Sequence, residues 1–373
     1  MRNFPDPFRV AREAHPSLDI EIENERIPLL LRLQDVRKAC KSPSDFSNAN
    51  PFHITLKPEI ELRSYRQFPI ESDPPEHTEY RGIVEPVFAR PSQPTYIAAM
   101  RELVDRSLSA VRVQKDLEVV REFALPLQSR ALALLLGLPE SEAELWISWG
   151  VHVFHDGDGH PKGKALEAYT AERFAQAEKE PGDDFFSRLN QALFKGRPLS
   201  LEEKQGFANL AFAGGRDTVI ATVSAIFAEV AINEPLLSRI RAEPALAVSA
   251  VEEIVRLTSP LTAISRTCPH ETVWQSRGGR IGLCWASANR EERFFPYPDT
   301  FQADRNPNPH VGFGFGPHAC LGAAHARLLL RTLLQAMAEK EMNIGLIEST
   351  PVRETLGDLT RVSGYESLRV AVT

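Results

Sequence analysis

A chain of 373 residues, 43% hydrophobic and 25% charged, has the composition of an ordinary globular protein and is long enough to bury a large core and a cofactor. The formal net charge of -7 gives no reason to expect nucleic acid as a partner. The four cysteines, Cys40, Cys268, Cys284 and Cys320, show neither paired metal-ligand spacing nor a dense disulfide framework, which fits a reducing cytoplasm. Residues 1–20 carry charges and prolines where a leader or anchor needs an apolar run. No stretch is expected to reach the roughly 18 apolar residues of a membrane span. A soluble, cytoplasmic protein with no membrane partner is the expectation.

Ile27 to Arg32 is apolar enough for a strand, and Gln34 to Lys41 reads as a helix with Val36, Ala39 and Cys40 on one face. Residues 42–70 read as irregular, with Phe52, Ile54, Leu56 and Phe68 either lining a pocket or pinning the loop to the body. Two prolines, Pro74 and Pro75, then precede a helix in which His77 and Arg81, four apart, share a face. Both can donate hydrogen bonds to an anion; a solvated surface pair has the same spacing. Helices are predicted over 97–113, 116–136 and 142–149, with Pro126 starting or kinking the second and Gly137 stopping it. The stretch 151–180 is more polar, and its helix is predicted from Ala165. Asp183 to Leu189 opens another helix.

Ser200 and Glu203 form a capping-box pattern for a long helix that should run to about Ile232, stopped by Asn233-Glu234-Pro235. Midway, Gly214-Gly215-Arg216-Asp217-Thr218 opposes helix by about 1 kcal/mol per glycine relative to alanine. A local distortion that admits a ligand would rationalise the pair. Gly214, Thr218, Ala221 and Ala225 also make a small-residue stripe that would permit close helix packing. Arg216 could pair with a surface acid, alter a proton route or face a polar substrate. Glu253 and Arg256 are three apart on a further helix, a pairing worth about 0–1 kcal/mol if exposed.

Phe313-Gly314-Phe315-Gly316-Pro317-His318-Ala319-Cys320-Leu321-Gly322 is a glycine-rich loop that delivers one cysteine to the start of a helix predicted over 321–339. A helix N-terminus favours the thiolate, the metal-binding form. A buried structural cysteine is the alternative. The spacing F-G-x-G-x-H-x-C-x-G resembles the haem-binding loop of the cytochrome P450 family, and the likeness covers residues 6–373.

The resemblance implies a mainly α fold: one domain over 1–373, a large helical bundle with a small β region. Haem b (iron protoporphyrin IX) would lie buried between the long central helix and the helix after the cysteine loop. It makes Cys320 the iron ligand and adds Phe313, Gly316 and Gly214 to the cofactor contacts. His77, Arg81, Arg266 and His318 become propionate contacts. Asp217 and Thr218 become the acid–alcohol pair, the alcohol holding oxygen and an ordered water, the acid relaying protons. Glu253 and Arg256 become a buried structural pair, linked to the segment around Arg305. Leu210, Ala213, Leu261, Ala263 and Ile264 become substrate-pocket residues. The 151–180 region becomes a mobile lid, with Phe154 and His155 as candidates for its inner surface.

The implied activity is a haem-thiolate monooxygenase that takes O2, a small organic substrate and electrons from an external ferredoxin and its NAD(P)H-dependent reductase. Arg327 and Arg331 would border the docking face or be ordinary solvated arginines. A peroxide-driven peroxygenase and a haem-binding sensor or carrier without turnover are the alternatives. Keeping Asp217 and Thr218 argues against both, and the substrate itself is not legible.

Overall fold

Ser200 and Glu203 begin the element on which the fold is hung. The Ser200 hydroxyl accepts from the Glu203 amide (3.2 Å) and the Glu203 carboxylate accepts from the Ser200 amide (2.7 Å), the reciprocal cap that the spacing predicts. The computed structural model, which describes residues 5–152 and 162–373, shows the central helix in two segments, Leu201–Gly215 and Asp217–Ile232. Arg216 separates them with φ -105° and ψ -78°, directly after the paired glycines. By length and composition the 201–232 stretch is apolar enough to cross a membrane, contrary to the sequence expectation, but most of its most apolar part is buried inside the protein. An all-round apolar helix at the centre of a helical core has that composition for packing reasons.

Around it lie Glu76–Phe88, Pro94–Ala110, Leu125–Leu136, Leu246–Thr258 and Ala323–Glu339. Their inner faces share one apolar cluster, including Met100, Leu127, Phe212, Phe227, Ile254 and Leu333. Gly137 ends its helix in the left-handed conformation (φ 73°), as predicted. The helix expected over 116–136 is divided. Gln114–Glu118 is a strand, Val119–Ala124 a wide π turn, and the α-helix proper starts at Leu125 with Pro126 in its first turn. Long-range pairing of Gln114–Glu118 with Leu359–Val372 overrides the local helical pattern.

The β region is small. Ser17–Ile22, Glu25–Leu30, Arg280–Cys284 and Ala263–Thr267 form one sheet in that spatial order. Arg280–Cys284 pairs antiparallel with Ala263–Thr267. Ile344–Leu356 and Leu359–Val372 form a terminal hairpin. A side chain added at Gly364 would lie 3.6 Å from Ala221 Cβ, so the hairpin rests on the central helix one turn beyond Thr218.

The irregular 42–75 segment is organised by a group the sequence reading missed. Glu71 is fully buried, pairs with Arg63 and accepts the amides of Phe52 and Gln67 (both 2.6 Å). Ile54, Leu56 and Phe68 are packed in the apolar clusters, so they pin the loop. Gly206 lets this segment reach the central helix: a Cβ there would sit 2.1 Å from the Arg66 carbonyl oxygen. The helix Lys162–Lys179 is present; Phe154 and His155 lie outside the described residues.

Candidate active site

Two glycines shape the cysteine loop. Gly314 and Gly316 have φ of 71° and 73°, values that side-chain-bearing residues resist, and a Cβ on Gly316 would meet the Cys40 carbonyl oxygen at 2.6 Å. The Cys320 amide closes the loop on the Phe313 carbonyl (2.7 Å), and Ala323–Glu339 follows as a helix, two residues later than predicted. Arg327 of that helix lies over the Phe313 ring (4.2 Å) and is bonded to Glu252 (2.7 and 2.8 Å), so it is a fixed part of the loop's support.

Cys320 is solvent-accessible, whereas Cys40, Cys268 and Cys284 are buried. Desolvation nonetheless raises its thiol pKa, outweighing the Gly322 and Ala323 amides and the charges of Arg81 and Arg327. The helix N-terminus alone therefore does not make a thiolate here. A metal ion binding the sulfur has to displace the proton.

Four basic side chains converge beside this loop. His77 comes from the Glu76–Phe88 helix and His318 from the loop, with ring centroids 4.0 Å apart. Arg81 donates to the Ala319 carbonyl (2.8 Å), and Arg266, from the strand Ala263–Thr267, is buried. Burial, then Arg266, His77 and Arg81, push the His318 pKa down to about 2. Burial and Arg81 lower His77 to about 4, and burial lowers Arg266 to about 10. Both ring nitrogens of His318 and Nδ1 of His77 are buried without a hydrogen-bond partner, and no carboxylate among the described residues hydrogen-bonds to any of the four. Two guanidiniums crowded against two imidazoles that are kept neutral, with ring nitrogens unmet, are a site for anions. A haem with its two propionates fits this donor set, and the neighbouring accessible sulfur fits its iron.

The break in the central helix presents a second surface. Leu210, Ala213, Gly214, Asp217, Thr218 and Ala221 recur at intervals of three and one, and each keeps some exposure while the residues between are mostly buried. A Cβ at Gly214 would meet nothing within 4 Å. The Thr218 hydroxyl donates to the Gly214 carbonyl (3.1 Å), and the buried Gln128 amide, missed by the sequence reading, donates to the Gly215 carbonyl (2.8 Å). These two bonds satisfy carbonyls that the break releases from the helical ladder. Ala225 is buried, so the far end of the small-residue stripe is packing.

Arg216 turns away from that face. It is fully buried and donates through Nη2 to the carbonyls of Trp146 (2.9 Å) and Gly150 (2.6 Å), at the end of the Glu142–Ser148 helix; burial lowers its pKa to about 10. A surface acid pair is not what the structure shows. Asp217 Oδ2 lies 3.2 Å from His152 Nδ1, a contact no short-range pattern announces. Leu261 is 42% exposed. Ala263 and Ile264, both 7% exposed, are neighbours in a strand and point to opposite faces. Ala263 packs with Phe8, Leu29 and Leu356, and Ile264 with Leu30, Leu283 and Phe315, so the structure does not bring the two together.

Beneath the loop, Glu253 and Arg256 are both fully buried and bonded (2.7 and 2.8 Å), as the resemblance implies. Arg305 joins them, its Nε 2.9 Å from both Glu253 oxygens.

The profile of the cytochrome P450 family matches residues 163–340. The chain is 30% identical to the steroid C26-monooxygenase of Mycolicibacterium smegmatis, over 82% of this chain and 79% of that protein. It is 27% identical to the cyclomarin C epoxidase CymV of Salinispora arenicola, over 98% and 94%. A solved structure described as that of a carbohydrate active P450 superposes with a TM-score of 0.95 at 40% identity, covering 100% of this chain and 99% of that one. Cytochrome P450-153 from Novosphingobium aromaticivorans shares the fold, with a TM-score of 0.84 at 23% identity. Kinship over the full length thus agrees with the orphaned histidines and the accessible sulfur: the chain belongs to the cytochrome P450 family, as a haem b-dependent monooxygenase.

Proposed function

We propose that this monooxygenase oxidises a small carbohydrate, with the whole chain working as one unit around a single haem. The observation that carries the substrate class is the 40% identity, over the full length, to a structure described as a carbohydrate active P450. The half-exposed face of the central helix suits such a ligand, since it joins Leu210 and Ala213 to the hydroxyl of Thr218 and the carboxylate of Asp217.

Haem b on a sulfur ligand supplies the oxidising chemistry, one atom of O2 going to substrate and the other leaving as water. Cys320 would hold the cofactor from the loop side, and His77, Arg81, Arg266 and His318 would hold its propionates, which would meet their unsatisfied donors. Phe313 and Gly316 shape the loop, and Gly214 would leave room for the ligand on the central helix. Thr218 would orient oxygen with its hydroxyl, and Asp217 would pass protons to that position. Leu210, Ala213 and Leu261 border the substrate. The electrons are assigned to a separate ferredoxin and its reductase.

Titrating the ferric holoprotein with monosaccharides and small glycosides should shift its absorption from the low-spin to the high-spin form. Sterols and fatty acids should leave it unchanged. The opposite pattern would overturn the substrate class. Thr218→Ala should keep the spectrum and substrate affinity but send about tenfold more of the electrons to hydrogen peroxide relative to product, the low end of what a positioned proton donor contributes. Unchanged coupling would remove Thr218 from oxygen handling.

A further inference from the structure

Asp217 has two unlike oxygens. Oδ2 faces Nδ1 of His152 at 3.2 Å, whereas Oδ1 is buried with no hydrogen-bond partner among the described residues. A buried carboxylate oxygen left in that state is destabilising unless a partner reaches it. His152 itself is the outward member of the pair, its side chain 53% exposed against 40% for Asp217.

We propose that His152 is a proton-carrying residue that serves the reaction through Asp217, with Oδ2 as the entry and Oδ1 as the exit toward Thr218. The proposal rests on the reading of Asp217 and Thr218 given above. Imidazole suits the outer position because it takes up and releases protons near neutral pH on either of two nitrogens. The adjacent Arg216 does not, since a guanidinium stays protonated. Its role is to hold the strand of chain from which His152 extends. Arg216 and Asp217, consecutive in the chain, grip Gly150 and His152, so the pairing is flanked by the Arg216 bonds to the Trp146 and Gly150 carbonyls.

The step moves one proton and no electrons. Nδ1 of protonated His152 gives its proton to Oδ2 of the carboxylate. A half-turn about the Cβ–Cγ bond carries that proton to the inner position. It leaves toward the Thr218 hydroxyl, the carboxylate is restored, and neutral His152 takes its next proton from solvent.

His152→Gln keeps a hydrogen-bond donor for Asp217 but cannot carry a proton, so it separates relay from positioning. In the holoenzyme it should lower product formed per NAD(P)H by about threefold to tenfold, the low end of general acid–base effects, because water bypasses the missing group. The solvent deuterium isotope effect on turnover should rise. Turnover driven by hydrogen peroxide, which brings its own protons, should stay at the wild-type rate. Independently of turnover, 15N-histidine spectra of the diamagnetic ferrous carbon-monoxide form should show the His152 ring resonances move in Asp217→Asn. Wild-type coupling and isotope effect in His152→Gln, or unmoved resonances in Asp217→Asn, would overturn the relay. If Asp217→Asn itself keeps wild-type coupling, the acid assignment fails and the histidine falls with it.

Discussion

Cys320→Ser should abolish monooxygenase turnover, by about a thousandfold or more, while leaving much of the cofactor bound. The substitution changes one atom on a loop whose shape is set elsewhere, by the positive φ of Gly314 and Gly316 and by the bond from the residue 320 amide to the Phe313 carbonyl. On the proposed assignment, the four donors His77, Arg81, Arg266 and His318 would remain to hold the propionates. What would be lost is the sulfur's push of electron density onto iron, which favours O–O cleavage. A thousandfold corresponds to about 4 kcal/mol in the activation barrier. The measurement is the spectrum of the reduced carbon-monoxide complex beside the turnover rate. The thiolate-type band should disappear and activity should fall with it. A thiolate-type spectrum in the serine protein would show that another residue holds the iron.

This prediction was available from the sequence because the loop's chemistry is local. Ten consecutive residues fix the turn, the sulfur and one histidine together. His77 and Arg81 were legible for the same reason, since four residues on a helix define one face. So was the cap formed by Ser200 and Glu203, three residues apart. Groups that meet across long separations in the chain were not. Gln128 finds the Gly215 carbonyl 87 residues away, and His152 finds Asp217 across 65. Nothing in the neighbourhood of either residue announces the partner. Arg216 shows the limit most plainly. Its position beside the paired glycines left a surface ion pair, a proton route and a polar substrate all open, because the direction of its side chain follows the φ and ψ of the break, which sequence does not supply. The strand Gln114–Glu118 was misread because its partner, Leu359–Val372, lies at the other end of the chain.

Adjacent glutamates offer the second large effect and a built-in comparison. Glu253 accepts from Arg256, Arg305, the Gln302 amide (3.2 Å) and Asn308 (3.2 Å), all while fully buried. Arg256 and Arg305 spend their other donors on the carbonyls of Asn289, Pro298, Pro296, Tyr297 and Thr300. One carboxylate thus fastens the Leu246–Thr258 helix to the chain that leads into the cysteine loop. Burial would raise the pKa of Glu253, but the two arginines outweigh it and hold it below its ordinary value. A folded-state pKa below the unfolded one gives stability that is present above the unfolded carboxyl pKa, about 4.3, and is lost as pH falls through the lower native value. Glu253→Gln removes the charge at every pH and leaves two buried guanidinium groups without a counterion. The cost should be about 3–5 kcal/mol, a large part of the roughly 5–15 kcal/mol that a domain has. Little haem-loaded protein should accumulate, and what does should melt well below the wild type. Glu252→Gln is the contrast. Its partners Arg327 and His310 hold that carboxyl down at about 2 against burial, yet Arg327 is 44% exposed, so water can replace its bonds, and the amide of the variant can still bond the buried His310. That variant should cost about 1–2 kcal/mol, well short of the Glu253→Gln loss. Thermal melts of the two variants at neutral pH decide the matter: equal losses, or a benign Glu253→Gln, would show that the buried network does not hold the loop in place.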